Sequence, residues 1–358
     1  MRGLADIRSQ LHAIERNGGG GEVKVGRGAS IRVSSLGKQF FKNGVTKGAV
    51  MRYYTAIWPA IERHVKDRPL VLKRYPDGVG GPMFFQQNAG AHVPQGVRVE
   101  SSGTNEDGPK RRIIGGDLAT LLYTVQLGSI EVHPWLSRVG DLDATDRCLI
   151  DLDPGDDVLF PTVVALARDV LQLVRECELP AAVKTSGSRG MHLVIPLPSK
   201  TSYDTSARLA MLIARAIAAH RPERATVERS LRARPAGTIY VDAMQNARGK
   251  SMACAYSVRA KEGATVSAPL QPRELSARLR TVAFSLKTMP PRVTRMGDLW
   301  GEALAVRPTK RALENAMRVL EQLVDNASAD APLRRQKRGG GGGEGAEPTA
   351  GRRRARRA

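Results

Sequence analysis

Two aspartates one residue apart, Asp151 and Asp153, close the run Leu149-Ile150-Asp151-Leu152-Asp153-Pro154. If the run is a strand, residues i and i+2 share a face and lie about 6–7 Å apart at their Cα atoms. Ile150 and Leu152 then face a core while the two carboxylates face outward together. Oxygen donors so placed suit Mg²⁺ or Mn²⁺, which bind through one or two carboxylates plus substrate phosphates. Asp-x-Asp running into Pro-Gly-Asp is also what a solvated turn looks like. A third acid favours the first reading. Asp242 ends another apolar strand, Thr238-Ile239-Tyr240-Val241, and a polar, basic loop follows from Gln245 to Lys250. Three strand-end carboxylates in a basic chain fit the two-ion clamp of nucleotidyl transfer, in which one ion activates the attacking oxygen and the other steadies the leaving one.

Such a clamp needs a binder for the triphosphate. Lys184-Thr185-Ser186-Gly187-Ser188-Arg189-Gly190-Met191-His192 offers one. Gly187 and Gly190 let backbone N–H groups approach phosphate oxygens, and Ser186, Arg189 and His192 add side-chain donors. Without a phosphate the same stretch reads as a tight hairpin. It is neither a P-loop, lacking the Gly-Lys-Ser/Thr ending, nor a dinucleotide fingerprint. The charge agrees with a polyanionic partner: 56 Lys and Arg face 35 Asp and Glu, a net +21. Residues 334–358 hold nine Lys or Arg and two Glu, which leaves +14 on the remainder. Such a field favours nucleic acid, although Arg-rich coding in general gives the same bias.

The elements that must position these groups are readable in outline. Residues 51–65 have helical spacing, and Arg68 to Pro76 reads as a turn and strand. Residues 118–135 pass from a helix through Gly128 into a strand. Residues 148–154 are a short buried strand, 158–177 a helix, and 181–198 a strand, a glycine turn and a second strand. Residues 205–222 are a helix and 237–243 a strand. Helices interleaved with hairpin-like pairs predict an α+β fold, with mixed or antiparallel sheets flanked by helices, rather than a doubly wound sheet. Three units are expected: an N-terminal helix and glycine linker (1–22), a catalytic domain (23–325) and a disordered Gly/Arg-rich basic tail (326–358). In the first, Leu4, Ile7, Leu11 and Ile14 make an apolar stripe, docked on the body or offered to a partner. No run of 18 apolar residues occurs, and the charged N-terminus is no secretory signal. Cys148, Cys177 and Cys254 read as buried hydrophobes. A cytoplasmic, nucleoid-associated protein without membrane contact is the expectation.

Taken in order, these segments resemble the archaeo-eukaryotic primase-type polymerases, and in particular the polymerase domain of bacterial ligase D, an end-joining repair polymerase. The resemblance spans about residues 30–302. It is carried by Val45-Thr46-Lys47, Arg74-Tyr75-Pro76-Asp77-Gly78, Phe84-Phe85-Gln86, Glu131-Val132-His133-Pro134-Trp135 and Asp151-Leu152-Asp153-Pro154-Gly155. Gln245-Asn246-Ala247-Arg248-Gly249-Lys250, Tyr256-Ser257-Val258-Arg259-Ala260, Val266-Ser267-Ala268-Pro269-Leu270 and Gly297-Asp298-Leu299-Trp300 complete it. It implies a primase-polymerase fold and a template-dependent polymerase filling short gaps at DNA ends with NTPs or dNTPs. Asp151, Asp153 and Asp242 fall on the metal triad, which holds two ions, Mg²⁺ or Mn²⁺. Ser186, Arg189, His192 and Arg259 fall around the incoming nucleotide, His133 and Gln245 line the same pocket, and Lys73 lies near nucleotide and template. Lys38 and Lys47 fall where the family grips a 5′-phosphate.

Four of the six phenylalanines form two adjacent pairs, Phe40-Phe41 and Phe84-Phe85. Neighbours in an extended segment face opposite ways, so an outward Phe beside basic residues is a stacking platform for a base, worth about 1–3 kcal/mol. Two apolar layers, each taking one ring, is the other reading. The resemblance assigns Phe84 and Phe85 to the templating base. Gln87 and Asn88 stand where relatives often carry a Lys, which removes a cation near the template, and Arg189 replaces a Lys. No Lys-x-Asp-Gly adenylation motif occurs, so joining would need a separate ligase, with a Ku-type end-binding protein as a further partner. De novo priming, or a DNA-end bridging module, are the alternative functions.

Overall fold

The computed structural model describes residues 3–26, 28–101 and 110–338, with side chains described as far as residue 329. Its centre is the 11-residue strand Ala144–Pro154, where Cys148, Leu149, Ile150 and Leu152 are all completely buried. Antiparallel partners lie on both sides, Met191–Ser202 and Ile239–Asp242. Ala182–Thr185 and then Pro269–Leu270 extend the sheet antiparallel at one edge, and Ala225–Thr226 joins the other edge in parallel. Six strands result.

Helices Phe160–Glu176 and Tyr203–His220 pack against this sheet, burying stripes such as Val163, Leu166, Ala167, Val170 and Val174 at helical spacing. The face they cover is set by alternation. The thiol of Cys148 donates to the Ser206 carbonyl of the second helix, so the even-numbered side chains of the central strand face the helices. Asp151 and Asp153 are left on the opposite face. There a second, three-stranded antiparallel sheet runs Phe84–Gln86, Leu70–Arg74, Ser129–Pro134. Helix Lys47–Val65 backs it, opening on Thr46, whose side chain accepts from Ala49 N–H at 3.1 Å. The helices and mixed sheets are those of the expected α+β fold.

Both ends differ from expectation. The N-terminal helix, Leu4–Arg16, docks on helix Lys47–Val65 with Ile7 and Leu11 buried, and Glu15 bonds Arg52 and the Thr46 hydroxyl. Residues 18–21 are a tight corner rather than a flexible linker. Gly19 sits at φ +74° with its N–H on the Ile14 carbonyl, and a Cβ there would lie 3.1 Å from Leu36 N. A strand already begins at Gly21. At the other end, helix Lys310–Arg338 runs past residue 325, where the tail was to start. Leu313, Ala316, Met317 and Leu320 seat it on helix Tyr203–His220, and Ala327, Ala329 and Ala331 favour its continuation. The rest of the predicted tail, 339–358, lies outside the described residues. Phe40 and Phe41 are both buried in the apolar core, so neither is a platform. The three cysteines are free and buried. No helix among the described residues is long and apolar enough to cross a membrane.

Candidate active site

Strand register builds the site. Asp242 stands opposite Asp151, Asp151 opposite His192, and His192 opposite Lys184. Directly opposed residues of an antiparallel sheet share a face, so four side chains cross four strands in one row. Asp153 follows on the same face, opposite Tyr240. Burial foremost, then the charges of Asp153 and Asp242, push the Asp151 carboxyl up to about 7. Outer partners orient each acid. Asp151 Oδ1 lies 3.4 Å from His192 Nε2, and Asp153 Oδ2 lies 3.3 Å from Arg234 Nη1. Asp242 accepts from Met244 N–H at 2.7 Å and from the Gln245 amide at 3.1 Å.

No three His, Cys, Asp or Glu side chains among the described residues already close into a metal cage. Asp153, half exposed, is turned to Arg234, whose guanidinium stacks 4.4 Å over Tyr240. The chemistry of the donor set nevertheless fits hard divalent cations. It is all oxygen and its members repel one another, as the raised Asp151 carboxyl shows. Convergence needs Asp153 to turn from Arg234.

At the end of the row stands Lys184, completely buried and not singled out from the sequence. Its ammonium donates to His192 Nδ1 at 2.6 Å, Ser267 Oγ at 2.6 Å and the Ala253 carbonyl at 3.0 Å. With Nδ1 an acceptor, the imidazole proton sits on Nε2, aimed at Asp151. Burial, then the charges of Lys184 and Arg259, hold His192 well below its usual range, so it is neutral at pH 7. Burial and Arg259 also push Lys184 down to about 7.

The glycine turn is as tight as its sequence suggests. Ser186 Oγ accepts from Ser188 and Gly190 N–H, both at 3.1 Å, which leaves its own O–H to donate outward. Arg189 is exposed and pairs with Asp156 at 2.5 Å. A Cβ on Gly190 would lie 2.3 Å from the Leu152 carbonyl, between Asp151 and Asp153 of that strand. Gly190→Ala is therefore expected to cost about 1–3 kcal/mol in thermal or urea unfolding, the usual penalty of overpacking. Gly80→Ala, where a Cβ meets nothing within 4 Å, is the neutral control.

Across the cleft, register in the second sheet aligns Phe85, Lys73 and Glu131. Phe84 and Phe85 are 45% and 60% exposed, and Arg74 lies 5.1 Å over the Phe84 ring. Glu131, also not singled out from the sequence, is buried between Lys73, His133 and Arg259. Arg259 spans both sheets, bonding the Ser186 carbonyl with one guanidinium nitrogen. Lys38 and Lys47 come together but differ in exposure. Lys47 N–H bonds the Lys38 carbonyl, and the Lys47 ammonium is buried on the carbonyls of Ser34 and Gln126 at 3.0 and 3.3 Å. Burial, then Lys38, lowers its pKa. Lys38 is accessible and pairs with Asp77 at 2.9 Å. Contrary to expectation, then, only one of the two lysines presents its charge to the surface.

Comparison with known proteins places the chain in a family. A protein-family model described as the LigD primase-polymerase domain matches residues 46–300. The multifunctional non-homologous end joining protein LigD of Pseudomonas aeruginosa is 34% identical over 259 residues, covering 72% of this chain and 30% of that protein. The bifunctional non-homologous end joining protein LigD of Bacillus subtilis is 30% identical over 269 residues, covering 75% of this chain and 43% of that protein. The chain thus matches less than half the length of these relatives. Among solved structures, the polymerase domain of Mycobacterium tuberculosis ligase D in complex with DNA superposes with a TM-score of 0.72 at 28% identity, covering 78% of this chain and 99% of that one. With a family model matching most of its length and a solved polymerase domain sharing its fold, the chain belongs to the LigD primase-polymerase domain family.

Proposed function

We propose that the protein is a template-dependent nucleotidyltransferase that fills short gaps at DNA double-strand-break ends during non-homologous end joining. The observation that carries this reading is the shared face of Asp242, Asp151 and His192, with Asp153 beside them and the Ser186 turn adjoining. Asp151, Asp153 and Asp242 would hold two divalent cations, Mg²⁺ or Mn²⁺, which when bound supply Lewis-acid stabilisation of the charge developing at the nucleotide α-phosphate. The remaining tasks belong to side chains. Ser186 O–H, the Nε2–H of His192 and Arg259 orient triphosphate oxygens as donors fixed before the nucleotide arrives. Gln245 fixes the Asp242 carboxylate, and His133 and Lys73 complete the pocket wall. Phe84 and Phe85, exposed beside Lys73 and Arg74, offer ring faces to the templating base. Partners in joining would be a Ku-type end-binding protein and a separate ligase.

The decisive assay is extension of a primer across a short gap, with NTPs and with dNTPs, under Mg²⁺ and under Mn²⁺. Template-directed addition is expected. No addition under any combination, or addition blind to the template, removes the reading. Primer-free dinucleotide synthesis would reassign the protein as a primase, and repair complementation by a triad mutant would reassign it as a bridging module.

The lysine pair gives a graded test. Lys38→Ala is expected to weaken binding to 5′-phosphorylated gaps and lower the salt slope by about one unit. Lys47→Ala should instead lower the melting temperature, since its ammonium is engaged with carbonyls inside the fold. An unchanged preference for 5′-phosphate in Lys38→Ala removes that assignment.

A further inference from the structure

Glu131 is the most enclosed carboxylate of the cleft, with a side chain only 1% exposed. Its two oxygens accept two hydrogen bonds and lie against two cations. Oε1 accepts from Ala260 N–H at 3.0 Å and lies 3.6 Å from Lys73 Nζ. Oε2 lies 2.7 Å from His133 Nε2 and 3.2 Å from Arg259 Nε. The heads of those three side chains are not sealed as Glu131 is: they are 14–20% exposed. The cluster therefore has a closed anionic back and an open cationic front.

We propose that Glu131 is a positioning residue that holds Lys73 and Arg259 together as one phosphate-binding wall for the incoming nucleotide and fixes the His133 ring beside them. The inference rests on the nucleotidyl-transfer reading and deepens it. Lys73, His133 and Arg259 come from three separate segments, and two of them are permanently charged. Brought together alone in a low-dielectric cleft, they would repel one another and splay. One buried carboxylate offsets part of that repulsion and fixes direction as well as charge. Accepting the hydrogen bond of His133 Nε2–H, it settles the tautomer and leaves Nδ1 as the acceptor. Arg259, ion-paired to Glu131 with no hydrogen bond at its Nε, reaches the Ser186 carbonyl with a terminal nitrogen, so Glu131 also ties the second sheet to the nucleotide turn of the first. The His133 hydrogen bond and the charges of Arg259 and Lys73 in turn hold the Glu131 carboxyl far below the usual carboxylate range against the opposing effect of burial, so it stays ionised at any working pH.

Glu131→Gln keeps shape and length but removes the charge and turns an N–H₂ toward a donor. Measured on a gapped duplex, the KM for NTP is expected to rise about 10–100-fold while kcat changes little, as for other residues that orient a ligand's direct partners. ¹⁵N NMR of the wild type should show His133 protonated at Nε2 alone at pH 7, and the mutant should lose that single tautomer. Because a buried charge is being removed, Glu131→Gln/Lys73→Met is the second variant. It restores the charge balance and is expected to recover the melting temperature while nucleotide affinity stays low. Affinity for ATP with Ca²⁺, measured by calorimetry, separates the two levels of inference. A wild type that binds ATP with an unchanged affinity in Glu131→Gln, or a His133 protonated at Nδ1 in the wild type, overturns the role of Glu131 and leaves the polymerase reading standing. A wild type that binds no ATP overturns both.

Discussion

Asp151→Asn is expected to reduce single-nucleotide addition at a gap by at least about a thousandfold, equivalent to about 4 kcal/mol of lost transition-state stabilisation. Among the triad, Asp151 is singled out by its position. It is the only one with strands on both sides carrying site residues, Asp242 across one pairing and His192 across the other. Asparagine preserves the shape and can still meet the His192 N–H, so the loss would report charge and not packing. Protonation should mimic the mutation. The folded protein holds the Asp151 proton up to about 7, whereas an unfolded aspartate releases it near 4. A raised carboxyl binds more protons folded than unfolded, so its contribution to stability is lost as pH climbs from about 4 to 7. Divalent cations compete with that proton. They should raise the melting temperature more at pH 8 than at pH 5, and Asp151→Asn should abolish the difference. Equal stabilisation by Mn²⁺ at both pH values would separate ion binding from Asp151.

Lys184→Met carries the second large effect, about 10–100-fold in kcat/KM, by way of His192 rather than by contact with nucleotide. Methionine matches the bulk of the side chain but cannot donate to Nδ1 at 2.6 Å, to Ser267 or to the Ala253 carbonyl. His192 then loses the partner that fixes its proton on Nε2 and can rotate or change tautomer. Residues acting as one unit are not additive, which supplies the test. His192→Ala and Lys184→Met should each cost a similar factor, and the double mutant should be hardly worse than either. A double mutant whose loss is the product of the two would show that Lys184 acts separately from the imidazole.

Much of this site was legible because its logic is local. Asp151 and Asp153 declare themselves by alternation within one strand, and the Ser186 turn by its glycines. What sequence could not give was register. Nothing in Thr238-Ile239-Tyr240-Val241 says that Asp242 will face Asp151 and not a neighbour two residues away, since a one-residue slip turns every side chain over. Glu131 and Lys184 were passed over because each looks like an interruption of an apolar strand. The same rule that paired Asp151 with Asp153 places Glu131 beside His133 and Lys184 beside Ser186, so the signal was present and unused. Lys47 shows the converse error: a motif lysine was read as a free cation when the chain folds it onto two carbonyls. The end segments were misjudged by composition. Four consecutive glycines form a corner because Leu36 packs against Gly19, and the helix of residues 310–338 carries on through Pro332 into the basic run 334–338.

The most direct test is to count bound Mn²⁺ by electron paramagnetic resonance with an NTP and a gapped duplex present. Two ions per chain are expected for the wild type, with ions lost in Asp151→Asn and in Asp242→Asn while the melting temperature holds. Mn²⁺ occupancy that is the same in all three proteins would contradict the claim that acids on neighbouring strands grip the ions together.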